Sequence, residues 1–449
     1  MYSLSAHPSY LDDLLGDPEV SAALSAEAQL RAMLRVESEL AAVQAELGLL
    51  PLRAAEAIAQ LCASDPVRPE GLREATLRDG VVVPGLVAAL RQALPADVAP
   101  YLHWGATSQD IVDTAACLTL RDALDIQQGR LRSVMDHLAT LAEDHRTTVM
   151  AARTRGQQAT PTTFGLKAAG WLMPLVRAAS RLGPLREDSL ALSLGGASGT
   201  QAAYGERAAE IERRLALRLH LAVPVLPWHT QRDRFVEIGG WMTGVAGALG
   251  KLAGDVLLLT QSEVGEVALA GAGGSSTMPN KANPTRAEAM VALARRTATE
   301  IPLLHQAVLH DHERGGAAWQ MEWAALPSIA VSSGAALRHG LALLETLEVK
   351  PERMRVNLEA SRGLLLAEAA SFALATQLPR AEAQALVKQA CAEVRDGDLH
   401  LIDCLRRHCD LPIDWERLRD PAAQTGQSDA LIDRALAAYR DISSESDPR

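Results

Sequence analysis

Apolar residues recur at Leu30, Met33, Leu34, Leu40, Ala41, Val43 and Leu47, the three-and-four spacing of one helical face, and Gly48 with Pro51 supplies a stop. This pattern predicts an amphipathic helix over residues 28–47. From 52 to 100, shorter helical runs alternate with turns marked by Asp65-Pro66, Pro69, Pro84 and Pro95, so residues 1–104 read as an N-terminal helical domain. Long helical runs follow at about 110–144 and 162–190, longer than a single globular core usually holds. A further run, to about Val267, carries Gly239, Gly240, Gly244, Gly247, Gly250 and Gly254. At roughly 1 kcal/mol each relative to alanine, six interior glycines weaken an isolated helix by about 6 kcal/mol, so this one must pack closely against other helices, those of other subunits included. Residues 286–309 are helical again, His310–Trp323 is a polar interruption, and Lys350-Pro351 opens a C-terminal domain. The expected fold is all-α, in three helical domains over 1–104, 105–349 and 350–449, with a disordered tail from Ser443.

Composition sharpens the picture. Aromatic residues make up only 3% of the chain against 48% hydrophobic, a balance suited to slim, closely packed helices. The net charge is −11, the pI is near 5.6 and no basic tract occurs, so neither nucleic acid nor a membrane is an expected partner. An acidic chain that binds anions must gather its cations locally. The N-terminus holds acids where a leader would hold bases, and no uninterrupted apolar run approaches membrane-spanning length, which implies a cytoplasmic protein. The five cysteines lack CxxC spacing and fit reduced thiols. His400, Cys404 and His408 would share one helical face, but a fourth ligand is missing, so no metal or organic cofactor is implied.

Most of the candidate chemistry lies in Gly271–Glu288, GAGGSSTMPNKANPTRAE. Gly271, Gly273 and Gly274 leave backbone N–H groups free to curve around an anion. Ser275 and Ser276 add hydroxyls, and Lys281, one of five lysines in the chain, adds a cation between Pro279 and Pro284. The Gly-Lys-Ser/Thr of a Walker loop and the third glycine of a dinucleotide fingerprint are both absent. A flexible surface loop remains the bland alternative. Upstream, Thr107 and Ser108 in YLHWGATSQDIVDT either cap the helix that follows or form an anion site at its start. His229 in PWHTQRDRFVE reads equally as a packed imidazole, and Arg314 in HDHERGG as a solvated charge or an anion contact.

Together these segments resemble the ordered motifs of the class II fumarase/aspartase superfamily, which includes adenylosuccinate lyase, argininosuccinate lyase and bacterial 3-carboxy-cis,cis-muconate cycloisomerase. The match runs through the eleven-residue pattern Gly274-Ser-Ser-x-Met-Pro-x-Lys-x-Asn-Pro284, HxGxTSxD at residue 103, RTRGQQATPTTFGLK from Arg153 and the Thr-Gln-Arg-Asp of residues 230–233. The resemblance implies a homotetramer with a central helical bundle and active sites shared between subunits. It also implies a di- or tricarboxylate substrate and proton transfer at the carbon next to a carboxylate. Ser275 matches the superfamily's proton-transfer serine, with Lys281 and Asn283 stabilising charge, and Thr107, Ser108, Thr154, Arg155, Gln231, Ser276 and Arg314 binding substrate. Arg155 stands where adenylosuccinate lyases carry histidine, and it cannot titrate in the working range. Glu288 matches the acid that pairs with that histidine, so its expected partner here is Arg155. Asn280 and Ala282 replace a usual histidine and arginine. The cycloisomerase branch lacks the histidine too, so conversion of 3-carboxy-cis,cis-muconate to 4-carboxymuconolactone is the expected reaction. Fumarate release from a substituted succinate is the alternative.

Overall fold

The structure, a computed structural model, describes residues 10–271, 273, 274, 277, 278 and 281–445. It is an all-α protein whose chain contacts divide into two units, Met1–Leu131 with Ala178–Gly250 and Ala292–Arg338, and Arg132–Arg177 with Lys251–Val291 and His339–Arg449.

In the first unit the helix Ala26–Glu46 buries Leu30, Met33, Leu34, Leu40 and Val43, the face its spacing predicted, and Ser25 caps it by accepting from Ala28 N at 3.2 Å. It packs against Leu52–Ala63 and Ala208–Leu219. Gly239 lets the neighbouring helix come close: a Cβ there would lie 2.4 Å from Leu304 Cδ1, and that side chain would have to shift. Two polar ties link neighbouring helices: Gln127 donates to Ala330 O at 2.9 Å and Ser333 to Met242 O at 3.0 Å.

The second unit holds strands the expected pattern lacks. β1 (Val149–Thr154) and β2 (Gln157–Thr163) form an antiparallel hairpin with an irregularity between Ala151 and Arg153. β3 (Val267–Leu269) pairs with β6 (Leu347–Val349), and β4 (Gly273–Gly274) with β5 (Ala282–Asn283). β3 to β6 are two or three residues each, too short for a period-two pattern to stand out, and the burial of β1 does not alternate. A C-terminal core gathers Leu366, Leu374, Val387, Leu401 and Leu405. His400 caps its helix by accepting from Ile402 N, and His408 pairs with Glu393.

Two expectations need correction. The helix Asp233–Leu259 is long and apolar enough to cross a membrane. Its Leu, Val, Ile, Met and Ala residues keep the mean hydropathy high although glycines and single charged residues interrupt the run. Ile238, Met242, Val245, Ala246 and Leu249 are wholly buried, as in a core helix, whereas Gly240, Gly244 and Gly247 form an exposed stripe. The tail is helical through Glu445, and residues 446–449 lie outside the described residues.

Candidate functional site

In the first unit the start of the helix Ser108–Asp144 is the centre of a buried polar network. The Asp110 carboxylate accepts from Thr107 N at 2.9 Å, Gly195 N at 2.7 Å and Gly196 N at 2.9 Å, and it contacts His229 Nε2 at 2.8 Å. One carboxylate thus fastens three chain segments. Gly195 has to be glycine, since a Cβ there would come within 2.7 Å of His229 Cε1. The bond back to Thr107 N is half of a capping box. The cap therefore comes from Asp110, and the Thr107 and Ser108 hydroxyls take no partner among the described residues.

One residue earlier, Gln109 is wholly buried. Its amide donates to Asp113 Oδ2 at 3.0 Å and His229 O at 2.8 Å, and its carbonyl accepts from Arg314 Nε at 2.8 Å. Arg314 Nη2 also reaches His229 Nδ1 at 3.5 Å. That donor can be accepted only if the imidazole proton sits on Nε2, which then donates to Asp110. The reading of His229 as a packed, satisfied imidazole and the reading of Arg314 as part of the site meet in this contact.

Beneath them Arg232, wholly buried, bonds both Asp113 (2.6 and 3.1 Å) and Glu322 (2.9 Å from Nε) and lies 4.8 Å from the Trp228 ring centroid. Burial opposes its charge, but Asp113 and Glu322 outweigh burial and hold the guanidinium above its ordinary value. Burial raises Glu322, against the pull of Arg232. Trp319 Nε1 donates to Asp113 at 3.1 Å. His310 accepts from Gly315 N at 3.1 Å, bracing the turn after Arg314, and burial followed by the Arg232 charge lowers its pKa. Gln231 lies apart from this network: it is exposed, and among the described residues its side chain reaches Pro227 O alone, at 3.5 Å.

The second unit carries the remaining candidates. Thr154 and Arg155 sit at the hairpin tip, both exposed, and Arg155 (φ 52°) with Gly156 (φ 78°) forms the two-residue turn. Left-handed backbone at both positions is the type I′ geometry that normally selects Asn-Gly, so an arginine here is strained. Arg153 anchors the tip through a two-pronged pair with buried Glu266, at 2.8 and 2.7 Å, and Asn357 also donates to Glu266 at 2.8 Å. Glu266 immediately precedes β3, which leads into the glycine-rich loop. Lys281 is exposed, its backbone N–H bonded to Met278 O at 3.0 Å. Asn283 Nδ2 reaches Gly274 O at 3.5 Å. Ser275 and Ser276 lie outside the described residues. Glu288 is exposed in the first turn of Thr285–Ala307. The expected Arg155–Glu288 ion pair does not form within the chain, because each side chain points to solvent from a separate element. No cluster of three or more metal-ligating side chains occurs among the described residues.

A lyase family model matches residues 77–298. The 3-carboxy-cis,cis-muconate cycloisomerase of Pseudomonas aeruginosa is 41% identical over 95% of this chain and 95% of its own. The chain belongs to the fumarase/aspartase superfamily. Trans-aconitate decarboxylase 1 of Mycosarcoma maydis is 36% identical, over 97% of this chain and 90% of that one. The crystal structure of 3-carboxy-cis,cis-muconate lactonizing enzyme from Pseudomonas putida superposes with a TM-score of 0.92 at 37% identity, covering 97% of this chain and 100% of that one. Enzymes of this superfamily act on small carboxylates, and the buried network sits directly behind two of the motifs that carry the resemblance. Sequence reasoning gave no role to Asp110 and Arg232, although both stand in matched motifs, and did not single out Gln109, Asp113 and Glu322. The Thr107-x-x-Asp110 capping box and the four-residue spacing of Gln109 and Asp113 were the signals available.

Proposed function

We propose that the protein is a cytoplasmic cycloisomerase of aromatic catabolism that converts 3-carboxy-cis,cis-muconate to 4-carboxymuconolactone. The observation that carries the reading is identity of 41% with a cycloisomerase across 95% of both chains. Supporting it, two relatives of different activity are named for unsaturated tricarboxylates. In the lactonisation a substrate carboxylate oxygen adds to the double bond. The electron pair moves onto the neighbouring carboxylate as an aci-carboxylate, and a proton arrives at the carbon next to it. Donors aimed in advance at that developing charge are commonly the largest catalytic contribution. Lys281 and Asn283 are assigned that role, and Ser275 gives the proton, which solvent then replaces. Thr107 and Ser108, with free hydroxyls at a helix start, bind a carboxylate together with Arg314. Thr154, Arg155, Gln231 and Ser276 are assigned to further anion contacts, and Glu288 is assigned with Ser275 and Lys281 to the catalytic set. The exposed stripe Gly240, Gly244 and Gly247 suits close approach by another helix, in keeping with a homotetramer whose active sites are shared between chains.

The test is a two-wavelength assay on purified protein. Loss of the conjugated diene absorbance of 3-carboxy-cis,cis-muconate is expected, and Ser275→Ala should slow it at least a hundredfold, the lower end for an acid/base role. Gain of fumarate absorbance from a substituted succinate, with the muconate untouched, would move the protein to the fumarate-releasing branch.

A further inference from the structure

Arg314 is exposed at its outer edge and held along its inner one. A guanidinium carries five N–H donors, of which Nε–H and one Nη2–H lie on the same side. That side is taken up by Gln109 Oε1 at 2.8 Å and His229 Nδ1 at 3.5 Å. Nη1 and the second Nη2–H make no bond among the described residues, and together they form the end-on fork that matches the two oxygens of a carboxylate. Gln109 is itself immobilised, buried and bonded through its amide to Asp113 and to His229 O. His229 is immobilised by Asp110. The long, flexible arginine stem therefore ends in a head whose orientation is set by two rigid acceptors, so little rotamer freedom remains to be lost when an anion binds.

We infer that Gln109 is a positioning residue for carboxylate recognition: with His229 it clamps the side-on edge of Arg314 and presents the end-on edge to one carboxylate of the substrate. Neither residue touches the substrate. The inference rests on the proposed role of Arg314 as a substrate contact.

The test uses the full-length protein, with tricarballylate, a saturated and unreactive tricarboxylate, as the binding probe. Arg314→Ala should weaken tricarballylate binding more than tenfold. Gln109→Met, close in volume but without the acceptor, should weaken it about tenfold and raise KM by more than it lowers kcat. In the Arg314→Ala background Gln109→Met should have no further effect, because the clamp acts only through the arginine. Should Gln109→Met not fold, His229→Gln decides in its place. It keeps a donor for Asp110 but moves the acceptor off the Nδ1 position onto the amide oxygen, and should weaken binding about threefold only when Arg314 is present. An undiminished effect in the Arg314→Ala background, or wild-type affinity in both clamp variants, would overturn the clamp while leaving Arg314 in the site. Wild-type affinity in Arg314→Ala would overturn the clamp and remove Arg314 from the site as well. Failure of the wild-type enzyme to turn over 3-carboxy-cis,cis-muconate counts against the proposed substrate alone, since tricarballylate binding reads the clamp independently.

Discussion

Replacing Arg232 by methionine keeps most of the stem's volume and deletes the cation. In the native protein that cation is wholly buried and bonds two carboxylates, Asp113 and Glu322. Removing one partner of a buried ion pair costs about 3–5 kcal/mol, because the charge left behind is neither hydrated nor neutralised. Here two charges are left behind, but burial already raises Glu322, and without the arginine it can take up a proton and cap the cost at about 4 kcal/mol. For a body of 150–250 residues each kcal/mol moves Tm by roughly 2–4 °C, so a fall of about 10 °C is expected. The pH dependence supplies a second check. With its folded pKa raised above the unfolded one, Glu322 binds a proton more readily in the native state, so the variant is penalised as pH rises through the folded value and relieved as pH falls. Scanning calorimetry at pH 8 and pH 5.5 should therefore show the larger deficit at pH 8. A Tm within 2 °C of wild type at both values, or a deficit that grows towards acid, would refute the reasoning.

At the hairpin tip, Arg155 occupies left-handed backbone at φ 52°, which costs a non-glycine residue about 1 kcal/mol. Arg155→Asn should accordingly stabilise the protein by up to about 1 kcal/mol while raising KM, since a cation about 4 Å from a carboxylate is worth roughly 4 kcal/mol before desolvation; a variant with lower Tm and unchanged KM contradicts both halves. Burial holds His145, His310 and His400 below the ordinary histidine value, with the Arg232 and Arg419 charges adding to it at His310 and His400 and Asp144 opposing it at His145. Between the folded and unfolded pKa values the unfolded chain binds more protons, so stability is full above about pH 6.5 and declines below it. Thermal melts from pH 7.5 to 5.5 should show that decline, with a shallower slope in His310→Asn; a flat profile would exclude it.

Long periodic stretches were legible because their spacing is sustained. The helix expected over 110–144 is Ser108–Asp144, and that expected over 162–190 is Phe164–Ser189. The hairpin between them was not legible. Its strands are six and seven residues long, and its turn reads Arg155-Gly156 where Asn-Gly would have announced it. At the site, the resemblance singled out Arg155, Lys281 and Arg314, which are exposed, and Thr107 and Ser108, which are half-buried. The residues that hold some of them in place were hidden, because Gln109 and Arg314 lie 205 positions apart and Asp110 and His229 lie 119 apart. Local patterning carries no information about which distant polar groups will meet once water is excluded. An isolated Asp or Gln in a helical run looks like ordinary surface polarity until the burial around it is known.

The glycine stripe on Asp233–Leu259 also has a bearing on how the protein behaves when dilute. Each glycine enlarges the number of conformations the unfolded chain regains, and an exposed glycine face recovers none of that through contacts of its own. In the proposed assembly a neighbouring chain supplies the missing burial, so lowering the concentration loosens this helix much as warming does.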